Sequence, residues 1–291
     1  MQARIKRGVA VMTAVVAAAA VAVGLAGPGS AAEDGTMSPS LRAYGITSDG
    51  KLMATFTTDR PDELNWVRRV SGLITDTSVI GIDFRVQDGK FYAVGNYGGI
   101  YTISLPTGNS DVVVTKVSQL SVGLHGTTFG VDFNPAADRL RVISDVGQNL
   151  RHNLHDGTTI ADSTLSATPG GSAIAGVTAA AYTNNDLNTT TATTLFDINT
   201  LSAQVVVQSP ANNGLLAPTG SLGTTAATNA GADIYSDVVG GKTVSNSGFA
   251  TLIGSTGDAM LYDFDPLTGA AEALGIFPLL ITDIAVALDT N

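Results

Sequence analysis

The sequence predicts an all-β protein, and its repeats indicate a β-propeller of five four-stranded blades. Three observations predict this fold. Short apolar segments of strand length alternate with turns rich in Gly, Asp and Pro. No segment keeps a helical period over a useful length. The pattern also recurs about every 40 to 50 residues, which is the repeat length typical of propeller blades.

The first repeat supplies three strands. Residues 43–47 and 51–56 flank the turn Asp49-Gly50, and an Asp-Gly pair between apolar runs is a strong hairpin signal. A third strand, at 65–70, follows the loop marked by Pro61. Because no innermost strand precedes these three, the first repeat is one strand short.

The other four repeats supply four strands each. They are predicted at 79–84, 90–95, 100–105 and 112–117; at 128–133, 139–144, 149–153 and, less distinctly, after Asp156-Gly157; at 176–183, 194–198, 204–208 and 215–222; and at 232–235, 249–253, 260–264 and 272–275.

A spare apolar run at 281–288 ends the chain and starts no new repeat. It predicts that the N- and C-terminal strands pair and close the ring, which removes the exposed sheet edges. Six blades would require a hidden hairpin at 159–172 or at 184–193, and the sequence leaves that alternative open.

Residues 1–32 are predicted to be a secretory signal peptide. Arg4, Lys6 and Arg7 precede an apolar run, and small residues at 29–32 offer a cleavage site. A retained membrane anchor is the alternative, but the run is barely long enough to span a bilayer. We therefore expect a secreted, extracellular protein without a membrane segment in its mature form, a disordered lead-in at 33–40, and a single domain at 41–291.

The charge of the mature chain limits its partners. Cleavage removes three of the 15 basic residues and none of the 25 acidic ones, which leaves 12 against 25 and a net charge of −13. Nucleic acid and anionic membranes are therefore poor partners. The chain has no Cys, so disulfides and thiolate sites are excluded. We expect a monomer that binds a small molecule, a glycan or an extracellular protein.

One polar position recurs on the first strand of the repeats. It is occupied, at intervals of 49, 46, 55 and 50 residues, by Asp83, Asp132, Thr178, Asp233 and Asp283. First strands line the channel of a propeller, so the four aspartates are candidate metal ligands, and carboxylate oxygens favour Ca²⁺. The alternatives are aspartates that accept backbone hydrogen bonds from a neighbouring turn and so fix blade geometry, or carboxylates that bind a ligand or catalyse a reaction.

The third repeat carries an unusual density of polar residues on predicted strands. The candidate ligand-binding residues are Arg139, Arg141, Asp145, Asn149 and Arg151. Guanidinium groups on one strand face suit ligand recognition. The alternative is a buried network of Arg and Asp that links neighbouring blades.

Four sets of segments have a shared character that is typical of a known family, namely 81–84 with 92–95, 130–135 through 139–142, 147–151 and 180–185. They resemble a secreted bacterial family, the domain of unknown function numbered 4394, and the resemblance spans nearly all of 41–288. It implies a propeller-like repeat fold and a location outside the cytoplasm. It implies no activity and no catalytic residue.

Two classes of function are consistent with these patterns. The favoured one is a non-catalytic extracellular binding domain, because the sequence shows no nucleophile–base arrangement and its polar loops sit on a rigid scaffold. The alternative is a calcium-dependent hydrolase, or lactonase-like propeller, that uses the axial carboxylates.

Overall fold

The structure, a computed structural model, describes residues 40–225 and 227–290. The predicted signal peptide and nearly all of the predicted lead-in lie outside these residues. Within them the all-β prediction is confirmed, since the regular structure is β-strand apart from one 3-10 turn at Ala211–Asn213. No helix in the described ranges has the length and apolar character needed to cross a membrane.

The strands follow one another along the chain with short connections. In chain order they are β1 (Arg42–Thr47), β2 (Leu52–Thr57), β3 (Trp66–Ser71), β4 (Val79–Arg85), β5 (Lys90–Gly95), β6 (Gly99–Ser104), β7 (Val112–Gln119), β8 (Phe129–Asn134), β9 (Arg139–Ser144), β10 (Asn149–His152), β11 (Thr159–Ala161), β12 (Val177–Tyr182), β13 (Leu195–Asn199), β14 (Gln204–Gln208), β15 (Leu216–Ser221), β16 (Asn229–Val239), β17 (Lys242–Ile253), β18 (Ala259–Phe264), β19 (Ala271–Ile276) and β20 (Ile281–Val286).

These strands form antiparallel groups of four. The first group has the order β20-β1-β2-β3, and the second, third, fourth and fifth groups are β4 to β7, β8 to β11, β12 to β15 and β16 to β19. A short parallel pairing of Val70 with Val112 and of Ser71 with Val113 joins β3 to β7, so the first two groups make one eight-stranded sheet. We call the first strand of each group its inner strand. The five inner strands are β20, β4, β8, β12 and β16.

The two ends of the domain meet in the first group. Strand β20 pairs antiparallel with β1, with Ala43 opposite Val286 and Gly45 opposite Ile284. This pairing supplies the strand that the first repeat lacks. The predicted pairing of the N- and C-terminal strands is therefore present.

The apolar core consists of clusters, each shared by two consecutive groups. Tyr44 of the first group packs with Phe91 of the second, and Ile143 of the third with Leu195 of the fourth. Phe56 of the first group also packs against Phe277, which follows the fifth group, with ring centroids 4.8 Å apart. Face-to-face packing of sheets thus continues from the fifth group back to the first.

Inner and outer strands differ in burial. Strand β12 is buried at all of its positions, whereas β7 alternates between buried and exposed side chains at its start. The alternation arises because successive side chains point to opposite faces, and an outer strand meets solvent on one of them.

One hairpin is longer than predicted from the sequence. Strands β16 and β17 continue to Val239 and Lys242, beyond the predicted 232–235 and 249–253. The extension turns at Gly240 and Gly241, which both have positive φ, and its strand residues are largely polar. A prediction based on apolar runs therefore ends too early.

The two segments in which a hidden hairpin would add a sixth blade contain no hairpin. Segment 184–193 contains no strand, and segment 159–172 contains only β11.

Candidate functional site

The inner strands bring together three of the four aspartates predicted on the channel axis. One carboxylate oxygen each from Asp83 on β4, Asp132 on β8 and Asp233 on β16 lies within 4.8 Å of the other two. These residues are only 5, 2 and 3% exposed. We call them the axial carboxylates. Asp283 on β20 is equally buried but does not belong to this trio.

Four of the five residues of the predicted axial series accept a hydrogen bond from the backbone of the next inner strand. The N–H of Phe133 donates to Asp83 Oδ2 over 2.7 Å, and that of Ile82 donates to Asp283 Oδ2 over 2.8 Å. Two further bonds join Thr178 to Ala230 and Asp233 to Val286. Together these bonds connect β20 to β4, β4 to β8, β12 to β16 and β16 to β20, and between β8 and β12 the backbone of Tyr182 lowers the pKa of Asp132. They are the geometric role foreseen as an alternative, but they act between sheets rather than within a turn.

The electrostatic environment of the axial carboxylates is unfavourable for three negative charges. Burial raises the pKa of Asp83 and Asp132 well above the usual value, and repulsion from the neighbouring aspartates raises both further. Burial likewise raises the pKa of Asp233 to about 6. At such separations, an ionised pair repels by about 3 kcal/mol at an effective dielectric constant of 20. Ionisation of all three therefore requires a compensating positive charge.

A polar cavity of about 310 Å³ lies where the inner strands begin. We call it the mouth cavity. Its polar lining comes from the first and second groups, from the loop before β8, and from the starts of β16 and β20: Ser48, Ser78, Asn96, Thr127, Thr128, Asn229 and Thr282. Val79, Ile80 and Phe129 add apolar surface. The axial carboxylates lie three to four residues further along their strands, or about 10–13 Å at the usual rise per residue.

Most polar side chains in the mouth cavity are free to bind a ligand. Within the described part of the chain, the side chains of Ser48, Ser78, Thr128, Asn229 and Thr282 make no hydrogen bond. All five are neutral, and none is fully buried. Hydroxyl and amide groups that converge without internal partners are the usual means of orienting a small polar ligand.

Side chains behind the mouth cavity fix the loop at 122–128 that borders it. Asp145 accepts hydrogen bonds from the N–H of Thr127 over 2.9 Å and from its hydroxyl over 2.7 Å. Gln148 accepts from the N–H of His125 and donates to the carbonyl of Gly123. The loop is thus held in one position by the turn that follows β9.

The structure places Arg141 in a buried network between the third and fourth groups. Its guanidinium donates to Asn149 and Asp162 over 2.7 Å each and to Asn212 over 2.8 Å. Arg141 itself is 3% exposed. Arg151 also donates to Asp162, over 2.9 Å. These contacts correspond to the alternative role, a network of Arg and Asp that links neighbouring blades.

The five candidate ligand-binding residues do not converge on one point. Asp145 follows the end of β9 at the mouth cavity, whereas Arg139 begins the same strand, about 20 Å away at the rise of a strand. Arg139 donates to the carbonyls of Ala137 and Asp138. Of the set, only Asp145 borders the mouth region, while Arg141 and Asn149 are buried in the network. Ligand binding by the set stays a prediction.

Asp197 on β13 is a second unusual carboxylate. It is 1% exposed, and neither of its carboxylate oxygens has a hydrogen-bond partner. Burial raises its pKa well above the usual value, and the positive charge of Arg141 opposes that shift. Gln208, on the neighbouring strand β14, likewise has a buried side-chain oxygen, Oε1, without a hydrogen-bond partner.

Comparison with protein families identifies the chain. The model of the family described as domain of unknown function (DUF4394) matches residues 52–285. The chain belongs to this family. The predicted resemblance to the family is therefore confirmed for this DUF4394 protein. A comparison with curated proteins finds no match.

Solved structures similar to the DUF4394 chain have low sequence identity. A protein of unknown function from Bacteroides thetaiotaomicron is 13% identical, with a TM-score of 0.42 over 86% of this chain and 68% of the other. The glutaminyl cyclase of Myxococcus xanthus is 10% identical, with a TM-score of 0.40 over 85 and 96%. The WD40 domain of Toxoplasma gondii coronin is 12% identical, with a TM-score of 0.39 over 78 and 54%. The chain thus spans about half of the coronin chain, and none of these likenesses supports a function.

Sequence reasoning missed the mouth cavity of this DUF4394 domain. Its polar residues are single Ser, Thr and Asn residues in different turns, and such residues are common in all turns. A weak signal does exist. Ser78, Thr128 and Asn229 each lie four or five positions before the repeated aspartate of their strand. The repeat that revealed the axial position thus also marks the residues above it.

The pH dependence of stability tests the environment of Asp197. An unfolded Asp ionises near pH 4, whereas the folded Asp197 keeps its proton to higher pH because burial raises its pKa. Above pH 4 the unfolded state binds fewer protons, so this group lowers stability as the pH rises, by up to about 1.4 kcal/mol per pH unit until its folded pKa is reached. We expect Asp197→Asn to be more stable than the wild type at pH 8 and to lose this advantage at pH 4. Urea denaturation at pH 4 and at pH 8 measures the difference in stability between the variant and the wild type. An equal difference at the two pH values would contradict a raised pKa of Asp197.

Proposed function

We propose that this DUF4394 protein is a secreted, non-catalytic, five-bladed propeller that binds a small neutral polar molecule, such as a saccharide, in the mouth cavity. The observation that carries the proposal is the set of five neutral side chains there that lack internal partners. The cavity volume of about 310 Å³ is in the range of small-molecule sites. The net charge of −13 expected for the mature chain disfavours anionic ligands.

The blade count rests on the order of the inner strands. Five groups of four strands each begin with an inner strand, and side-chain hydrogen bonds connect β20 to β4, β4 to β8, β12 to β16 and β16 to β20. The core clusters follow the same cyclic order. Secretion rests on the basic and apolar pattern of residues 1–32 and on the acidity of the remainder.

Two features favour binding over the alternative of a calcium-dependent hydrolase. The axial carboxylates are at most 5% exposed, whereas a catalytic base needs to reach its substrate or a water molecule. The residues that line the mouth cavity include no carboxylate and no His among those described. A ligand in the cavity would therefore meet hydrogen-bonding groups and apolar surface rather than general acids or bases.

The exposed side chain of Tyr97 suits a saccharide in particular. It is 63% exposed and directly follows Asn96, which lines the mouth cavity. The N–H of Tyr97 donates to Asp76 over 2.5 Å, and its carbonyl accepts from Gln119, so the backbone beneath the ring is fixed. An exposed aromatic ring that adjoins Asn96 in the chain offers an apolar face in addition to the hydrogen-bonding groups of the cavity, and a pyranose ring uses both kinds of contact.

The test is an array of neutral oligosaccharides, followed by calorimetric titration of the best binder with residues 33–291. We expect saturable binding that weakens at least about tenfold in Thr128→Val and in Asn229→Leu, since each change removes a hydrogen bond worth about 1.5 kcal/mol. Thr256→Val is the matched control, because Thr256 lines a separate cavity at the fifth group. The proposal fails if no neutral saccharide binds, or if the mouth variants bind as well as the control.

A further inference from the structure

The spacing of the axial carboxylates is suited to one shared ion. Three atoms that lie within 4.8 Å of one another have a common point no farther from each than 4.8/√3, or about 2.8 Å. Calcium–oxygen bonds are about 2.3–2.6 Å long, so a small adjustment of the side chains places all three oxygens in bonding range. Magnesium, with bonds of about 2.0–2.1 Å and a strict octahedron, would require a larger contraction.

The surroundings of the three axial carboxylates provide little positive charge to balance their negative charge. The charged groups that act most strongly on Asp83 and Asp132 are other aspartates. The Arg at the end of β4 and the Arg opposite Asp132 on β9 are engaged elsewhere, Arg85 with Asp88 and Asp138 and Arg141 with Asp162. A buried charge is stable only when it is paired or coordinated to a metal.

A separate observation indicates a ligand at this point. Asp132 Oδ1 is completely shielded from solvent and has no hydrogen-bond partner. Asp83 and Asp233, by contrast, each receive backbone N–H groups at both oxygens. A buried, unpartnered carboxylate oxygen is costly in a folded protein, and it is explained when a cation binds it. The bonds from backbone N–H groups fix the other two carboxylates, which preorganises them.

We propose that Asp83, Asp132 and Asp233 bind one calcium ion on the axis and that this ion holds β4, β8 and β16 together. The donor set is made of oxygen alone, and the chain has no Cys to provide a soft ligand. This site is distinct from the mouth cavity, about 10–13 Å along the strands. Its role is structural, because the ion is enclosed by the inner strands and has no open side for a substrate.

The experiment measures metal content and stability on residues 33–291. After purification in 1 mM calcium and desalting, elemental mass spectrometry should find one calcium per chain. After prolonged treatment with chelator, calorimetric scanning should show a melting temperature lower by about 5–10 °C, restored by calcium, as expected for a ligand that binds only the folded state. A chain without calcium, with a different metal, or with the same melting temperature in calcium and in chelator overturns the proposal.

Matched variants locate the ion. Asp132→Asn keeps the shape but removes the charge and should weaken calcium binding at least about tenfold. Asp283→Asn, at an axial position outside the trio, and Asp197→Asn, at a buried carboxylate elsewhere, should both retain one calcium. Equal loss in all three variants contradicts the site. If Asp132→Asn does not fold, the calcium content of the wild type and of Asp283→Asn still decides whether the chain binds one calcium without the Asp283 carboxylate. Thr128→Val should bind calcium normally, so failure of the saccharide proposal and failure of this one are distinguishable.

Discussion

Replacing Arg141 by leucine is expected to lower the free energy of unfolding by about 3–5 kcal/mol, which is the usual cost of removing one partner of a buried ion pair. Asp162, which is 4% exposed in its side chain, would keep only Arg151 as a partner. The oxygen atoms of Asn149 and Asn212 would also lose their guanidinium donor. Urea denaturation with linear extrapolation measures the change, and an unchanged slope would show that the unfolded state is the same.

Arg139→Leu is the matched control for this prediction. Arg139 occupies the same strand face two positions earlier, but its guanidinium donates only to carbonyls of the adjacent turn. Its replacement should change stability by less than about 1 kcal/mol. If both substitutions cost the same, the network between the third and fourth groups does not contribute the stability that its geometry implies.

Replacing Gly130 by alanine should also have a large effect, about 3 kcal/mol or more, because the added methyl group would overlap backbone that cannot turn aside. A Cβ on Gly130 would lie 2.6 Å from the backbone nitrogen of Ala180 and 2.7 Å from the carbonyl carbon of Ala179. Inner strands β8 and β12 would have to separate. Calorimetric scanning should show a decrease in melting temperature of about 6–12 °C, at 2–4 °C per kcal/mol for a domain of this size.

Gly123→Ala provides the comparison. A Cβ at Gly123 meets no atom within 4 Å. Its substitution should leave the melting temperature within about 2 °C of the wild type, as for other surface changes. A similar loss at both positions would mean that the inner strands do not approach each other as closely as the structure has them.

The strand order could be predicted from the sequence because turns punctuate it so regularly. Asp49-Gly50, Asp88-Gly89 and the Pro-containing turns separate apolar runs of strand length, and hydrogen bonding between consecutive strands then follows from local connection. The closing strand could be predicted from a count of strands in the first and last repeats. In these respects the local pattern and the global fold agree.

Which members of the axial series meet could not be predicted, because this depends on the register between inner strands that are not hydrogen-bonded neighbours in a sheet. Asp83 and Asp283 occupy the same position of the repeat, yet only Asp83 joins the trio. The partners of Arg141 were equally hidden. Asp162 follows the shortest strand and Asn212 lies in the 3-10 turn, and neither segment has a pattern that marks it. Position along the repeat indicates which residues are special, but not which of them meet.

The pairing of β1 with β20 has a consequence for how the chain acquires its structure. The partner of Arg42–Thr47 is Ile281–Val286, which is synthesised more than 230 residues later. Until then, the first group exposes an open edge and the apolar surface that Phe277 and Ile281 later cover. Contacts so distant in sequence form slowly, since a very long loop must close first. A nascent chain of this protein therefore cannot complete its first group before Ile281–Val286 has been synthesised, and until then its folding stays reversible and its first three strands stay accessible to other partners.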